Sequence, residues 1–125
     1  MWYVMKKYSK SSLTRKLDRE CSRIVRARGG CQWGISKNCS NDYEKQQCAH
    51  IFSRTYRNTR WSLNNLLSLC QGCHFEAHKN PVLFTEFVQQ HLGDHNYQEL
   101  KMQHNAIKRY TLQEMSELLK TLEAL

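Results

Sequence analysis

The sequence predicts a small α+β domain in which short strands and a helix are stapled by a structural metal and flanked by N- and C-terminal helices. Three observations point there. Apolar residues recur at helical spacing at both ends of the chain, the middle is turn-rich with only short apolar runs, and a Cys-x-x-Cys-His cluster lies between them. A chain of 125 residues has room for one domain, taken as 1–125, and a chain so small gains from a metal that supplements its core.

The first helix is expected over about 12–28. Ser11 or Ser12 can cap it, Leu13, Leu17, Cys21, Ile24 and Val25 recur along one face, and Gly29 and Gly30 end it. Cys21 is thereby a core residue. Arg15, Arg19, Arg23 and Arg26 follow the same period two positions out of step, roughly 200° around the axis, and form a basic stripe on the opposite face. From Cys31 to about Asn65 the turn formers Gly34, Asn38, Asn41, Asp42, Asn58 and Asn64 leave space only for short strands and loops. A short helix should begin near Cys70 and stop at Asn80, because Pro81 disfavours helical geometry in the residue before it. Residues 82–92 read as a helix closed by Gly93. A last helix opens on the capping box Thr111-Leu-Gln-Glu114, and C-terminal helices together occupy about 82–124. The Leu112, Met115, Leu119 and Leu122 face of that last helix suits either the domain or a second copy, so monomer and homodimer both stay open.

The charge is uneven. The formal net charge is +8, and the first thirty residues carry nine basic side chains against two acidic ones, whereas residues 80–125 carry four against six. Basic clustering favours a polyanionic partner, although charge alone does not separate nucleic acid from a merely solvated face. No apolar run approaches the roughly 20 residues that span a bilayer, and Met1 to Lys10 does not read as a secretion signal. No membrane partner and a cytoplasmic location are therefore expected, and six cysteines in a reducing compartment point to metal rather than disulfides.

Cys70-Gln-Gly-Cys73-His74 is the strongest motif, since two thiolates two residues apart can grip one Zn²⁺ at the start of a helix. Cys31 and Cys39 are the best second pair, although seven residues separate them, and Cys48 is the reserve candidate. A second group consists of His50, Asn65, His74 and His78, at intervals of 15, 9 and 4. Positions i and i+4 share a helix face, so His74 and His78 can hold one ion. Cys73 and His74 diverge by roughly 100° and direct sulfur and imidazole to different metals. His91, His95 and His104 lack such pairing and are assigned no task.

His50, Asn65 and His74 with the CQGCH knuckle resemble the HNH motif of the ββα-metal endonucleases, in which a β-hairpin and a helix surround one divalent cation. The intervals match those of the colicin nucleases. Leu17-Asp18 through Arg28, Cys48-Ala-His50-Ile-Phe-Ser-Arg54, Arg60-Trp61 and Asn65 also resemble the phage lambda NinG (Rap) recombination nucleases, over roughly residues 13–93. The resemblance implies a ββα-metal (HNH) core at about 31–80 and a DNA endonuclease of phage recombination or DNA processing, working in a bacterial host cytoplasm. It implies His50 at the end of the first strand as general base, Asn65 just before the helix holding the hairpin, and His74 and His78 as ligands of a catalytic divalent ion. That ion would be Mg²⁺, Mn²⁺ or Zn²⁺, beside the structural zinc of Cys31, Cys39, Cys70 and Cys73. Two departures stand out. Many family members place a metal ligand just before the base, where this chain has Ala49, and NinG proteins tend to carry a tighter first cysteine pair.

Arg54, Arg57 and Arg60 fall between His50 and Asn65, in the segment expected to loop over the substrate, while Trp61 is expected in the core. With Arg15, Arg19, Arg23 and Arg26 they form the candidate surface for duplex or branched DNA. The alternative is a non-catalytic, zinc-containing DNA-binding adaptor, which Ala49 favours. An RNA-directed role is a third, because phosphate contacts carry no sequence information.

Overall fold

A computed structural model describes residues 8–125. Its elements are α1 (Lys10–Arg26), a 3₁₀ turn (Tyr43–Lys45), β1 (Gln46–His50), a single-turn α2 (Arg57–Arg60), a second 3₁₀ turn (Leu63–Asn65), β2 (Leu66–Cys70), α3 (Gln71–Lys79), α4 (Pro81–Leu92), α5 (Asp94–Asn105) and α6 (Leu112–Glu123). Much of this order follows from local chemistry. The N-cap of α1 is Ser9, whose hydroxyl accepts the Ser12 amide at 3.2 Å, so the helix starts two residues before the expected position and ends at Arg26, ahead of Gly29 and Gly30. Pro81 opens α4, a position where its missing N–H costs nothing. The Thr111–Glu114 capping box at α6 is reciprocal, with the hydroxyl accepting the Glu114 amide and the carboxylate accepting the Thr111 amide.

The two strands pair antiparallel, with Gln46 opposite Cys70 and His50 opposite Leu66. Every residue of β2 is buried, because this narrow sheet has an apolar cluster on each side. On one side Leu66 and Cys48 meet Leu13, Leu17, Cys21 and Val25 of α1, with Trp61 and the Met115, Leu119 and Leu122 ridge of α6. On the other side Ala49, Leu67 and Leu69 meet Cys73 and Ala77 of α3 and Phe84 and Val88 of α4. Burial of each large apolar side chain contributes about 1.5–3 kcal/mol. The apolar face of α6 is thus covered by α1 of the same chain; of its Leu112, Met115, Leu119 and Leu122, Leu112 alone stays exposed. No helix of the described residues is long and apolar enough to cross a membrane.

Alternation along β1 decides what each residue can reach. Gln47 and Ala49 point toward α3, whereas Cys48 and His50 point toward α1. The α5 helix, which the sequence pattern does not single out, buries Leu100 and braces α2: Asn58 Nδ2 donates to the carbonyls of Gln103, His104 and Ala106, and Gln103 Nε2 donates back to the Asn58 carbonyl at 2.9 Å.

Candidate metal centre and histidine cleft

Four thiols converge where the 31–42 loop meets the start of α3. The sulfurs of Cys31, Cys39, Cys70 and Cys73 all lie within 4.8 Å of one another, a group that could hold a metal ion such as zinc. Tetrahedral Zn–S bonds of about 2.3 Å need sulfurs slightly under 4 Å apart, so the quartet fits with small adjustment. The loop is shaped to bring the pairs together. The Ser36 amide donates to Cys73 Sγ at 3.4 Å, and the Cys31 amide is held by Asn41 Oδ1 at 3.0 Å. Gly72 permits the approach, since a Cβ there would meet Ser36 Oγ at 2.5 Å. Burial opposes the Cys70 thiolate, but backbone hydrogen bonds at Cys73 and Ser40 outweigh it and bring this thiol down to about 7. Cys48 is absent from the group. It sits on the α1 side of the sheet, where burial pushes its thiol up to about 11.

The imidazoles of His74 and His78 lie along α3 itself, beside the sulfur cluster at its start. His74 and His78 occupy successive turns with ring centroids 5.1 Å apart, and together with His50, Ala49 and Arg54 they line a cleft of about 460 Å³ between β1 and the start of α4. His74 is oriented by a residue that carries no sequence signature: its Nδ1 meets Gln47 Oε1 at 2.7 Å, across from the α3-facing side of β1. An amide oxygen only accepts, so Nδ1 carries the proton and Nε2 keeps its lone pair. Burial lowers the His74 pKa below its usual value, and the neighbouring His78 lowers it further. Ala49 borders the same cleft and offers it only a methyl group.

His50 closes β1. Burial lowers its pKa more than a backbone hydrogen bond at Arg60 and the charge of Asp18 raise it, leaving a neutral imidazole at pH 7. The turn after it is fixed by Asn65, which is fully buried: Oδ1 accepts the Phe52 amide at 2.8 Å and Nδ2 donates to the Phe52 carbonyl at 3.0 Å. Asn65 lies at the entry to β2, a strand's length before the helix rather than next to it, and its hold on the hairpin is through the Phe52 backbone.

The arginines separate into three kinds. Arg15, Arg19, Arg26 and Arg54 line a trough of about 480 Å³ between α1 and β1, with His50 at its edge. Arg23, although in step with them by sequence, is bonded to Glu20 at 2.9 Å and to the Leu122 carbonyl at 3.1 Å. Arg60 grips Asp18 through both arms at 3.0 and 2.7 Å, and Arg57 lies over the Trp61 ring and donates to Thr14 Oγ1 at 3.2 Å. Asp18 also accepts the Trp61 indole N–H at 2.8 Å, so one carboxylate pins the segment after β1 onto α1. Sequence patterns assign Asp18 and Gln47 no role; neither belongs to a periodic set, and their partners are 42 and 27 residues away. His91, His95 and His104 lie outside the cleft; His104 stacks on Phe52 with ring centroids 4.2 Å apart.

No family model, curated protein or solved structure matches the chain.

Proposed function

We propose that this chain is a metal-dependent HNH DNA endonuclease stapled by a structural zinc on Cys31, Cys39, Cys70 and Cys73. The observation that supports it best is one cleft lined together by His50, His74, His78 and Arg54. His50, neutral at pH 7, takes the proton from water as it attacks phosphorus in line. Asn65 fixes the turn that follows His50. His74 and His78 would hold the catalytic ion, with Gln47 setting the His74 tautomer. When bound there, such an ion would supply charge stabilisation to the phosphoryl transfer. The products carry a 5′ phosphate and a 3′ hydroxyl. Two imidazoles without a carboxylate favour a transition ion over Mg²⁺.

Ala49 favours a second possibility, a DNA-binding adaptor without catalysis. Both are tested by incubating the zinc-loaded protein with linear, nicked and four-way-junction DNA in Mg²⁺, Mn²⁺ or Zn²⁺. Metal-dependent cutting with 5′-phosphorylated ends, strongest with Mn²⁺ or Zn²⁺, supports the endonuclease. Binding without cleavage in any of the three ions supports the adaptor instead. The junction lane tests the branched-DNA preference that a recombination role requires.

A further inference from the structure

We propose that the trough between α1 and β1 is a one-sided phosphate track, in which Arg15, Arg19, Arg26 and Arg54 hold a run of nucleic-acid backbone leading up to His50. The track's relation to a scissile bond rests on the endonuclease proposal above; its ligand class rests on the trough itself. The trough and the histidine cleft share Cys48, His50 and Arg54 in their linings, so a strand seated in one continues into the other. The two ends differ in character: imidazoles at α3, guanidinium groups along α1.

Charge in the trough is largely unopposed. Its one carboxylate, Asp18, is taken by both arms of Arg60 and by the Trp61 indole, and meets Arg54 only at 4.0 Å. Among the described residues neither Arg15 nor Arg19 enters an ion pair. Arg26 sits over the Tyr43 ring, 5.0 Å from its centroid, donates from Nη2 to the Tyr43 carbonyl at 3.5 Å, and its Nε is a buried donor with no partner. A planar fork held in place with a donor to spare is suited to a phosphate oxygen. Four cations along a concave wall also focus the field on an incoming polyanion.

The dimensions agree with a strand rather than a single anion. Arg15 and Arg26 are eleven residues apart on one helix, and at about 1.5 Å per residue this is ~16 Å, the rise of about five nucleotides at ~3.4 Å each. Arg23 lies outside the track, turned to Glu20 and the α6 C-terminus. Grip on phosphates alone carries no base information, so the track binds irrespective of sequence.

The test is the salt dependence of binding to a labelled random-sequence duplex, measured by anisotropy from about 50 to 200 mM salt with full-length, zinc-loaded His50→Ala protein so that the probe stays intact. In that background, Arg15→Gln/Arg19→Gln should reduce the slope of log K against log salt by about 1.8, which is about 0.9 for each phosphate that the variant leaves unneutralised. Adding Arg26→Gln should remove about 0.9 more, and Arg23→Gln should leave the slope unchanged. Arg15 and Arg19 are exposed, so the double variant is expected to fold and keep its zinc, as circular dichroism and metal content will show. An unchanged slope in the double variant, or an equal loss from Arg23→Gln, would overturn the track. Cleavage by the wild type is scored separately, so the endonuclease proposal and the track fail independently.

Discussion

Asn65→Ala removes a buried side chain that closes the turn between His50 and β2. The carboxamide is fully buried and makes two hydrogen bonds to the Phe52 backbone, at 2.8 and 3.0 Å. Each contributes about 1 kcal/mol net, and the Phe52 N–H and C=O left behind add the cost of unpaired groups, partly relieved by water because Phe52 is only half-buried. A total loss of about 2–4 kcal/mol is expected, equivalent to a fall of ~8–15 °C in Tm for a domain of this size. Denaturant unfolding of the zinc-saturated protein followed by circular dichroism measures it. Asn65→Asp, which keeps the acceptor but sets a carboxylate against the Phe52 carbonyl, should be destabilised as well. A loss under about 0.5 kcal/mol for Asn65→Ala, the range of an ordinary surface substitution, would refute the view that this side chain holds the turn.

Cys73→Ser should lose tightly bound metal and unfold, because metal affinity is folding energy in a core this small; one zinc per folded wild-type chain and none in the variant is the expected result by elemental analysis. Gln47→Ala frees the His74 ring and should weaken Mn²⁺ or Zn²⁺ binding at the cleft about 10–100-fold in calorimetric titration of zinc-loaded protein, with no change in fold. Asp18 gives a pH signature. Burial raises its pKa, but the bonds from Arg60 and Trp61 and the charge of Arg54 prevail, so the folded value lies below 3.8. A depressed carboxylate contributes stability that is full above the unfolded pKa and lost as pH falls through the folded one. The wild-type advantage over Asp18→Asn should therefore be largest near pH 7 and shrink below about pH 4, as paired denaturation curves at pH 7 and pH 3 will show.

The parts of the fold legible in the sequence are those fixed by near neighbours. Thr111 and Glu114 cap α6 across three residues, Pro81 ends α3, and the Leu13, Leu17, Cys21 and Val25 stripe of α1 is buried as its period implies. The α5 helix has no comparable signature because it buries little beyond Leu100 and depends on Asn58, far away in sequence, for its anchorage. The choice of Cys31 and Cys39 over Cys48 agrees with the sulfur geometry, yet its cause is strand register, which turns Cys48 toward α1. The arginine stripe is where periodicity stops being informative. Helical phase puts Arg23 beside Arg19 and Arg26, but local partners take it out of the trough, and Asp18 takes Arg60. Those partnerships join α1 to the α6 end and to the segment after β1, and no spacing rule anticipates them.

On the proposed mechanism His50 is the base of a metal-dependent phosphodiester hydrolysis. Single-turnover cleavage of one labelled DNA by wild type and His50→Ala, at saturating Mn²⁺ and equal bound fraction, tests it directly. The expected result is a rate about 10²–10⁴-fold lower for the variant with DNA affinity unchanged, and a wild-type acid limb in pH at a value below 6.5 because burial holds the His50 pKa down. Equal rates for the two proteins would contradict it.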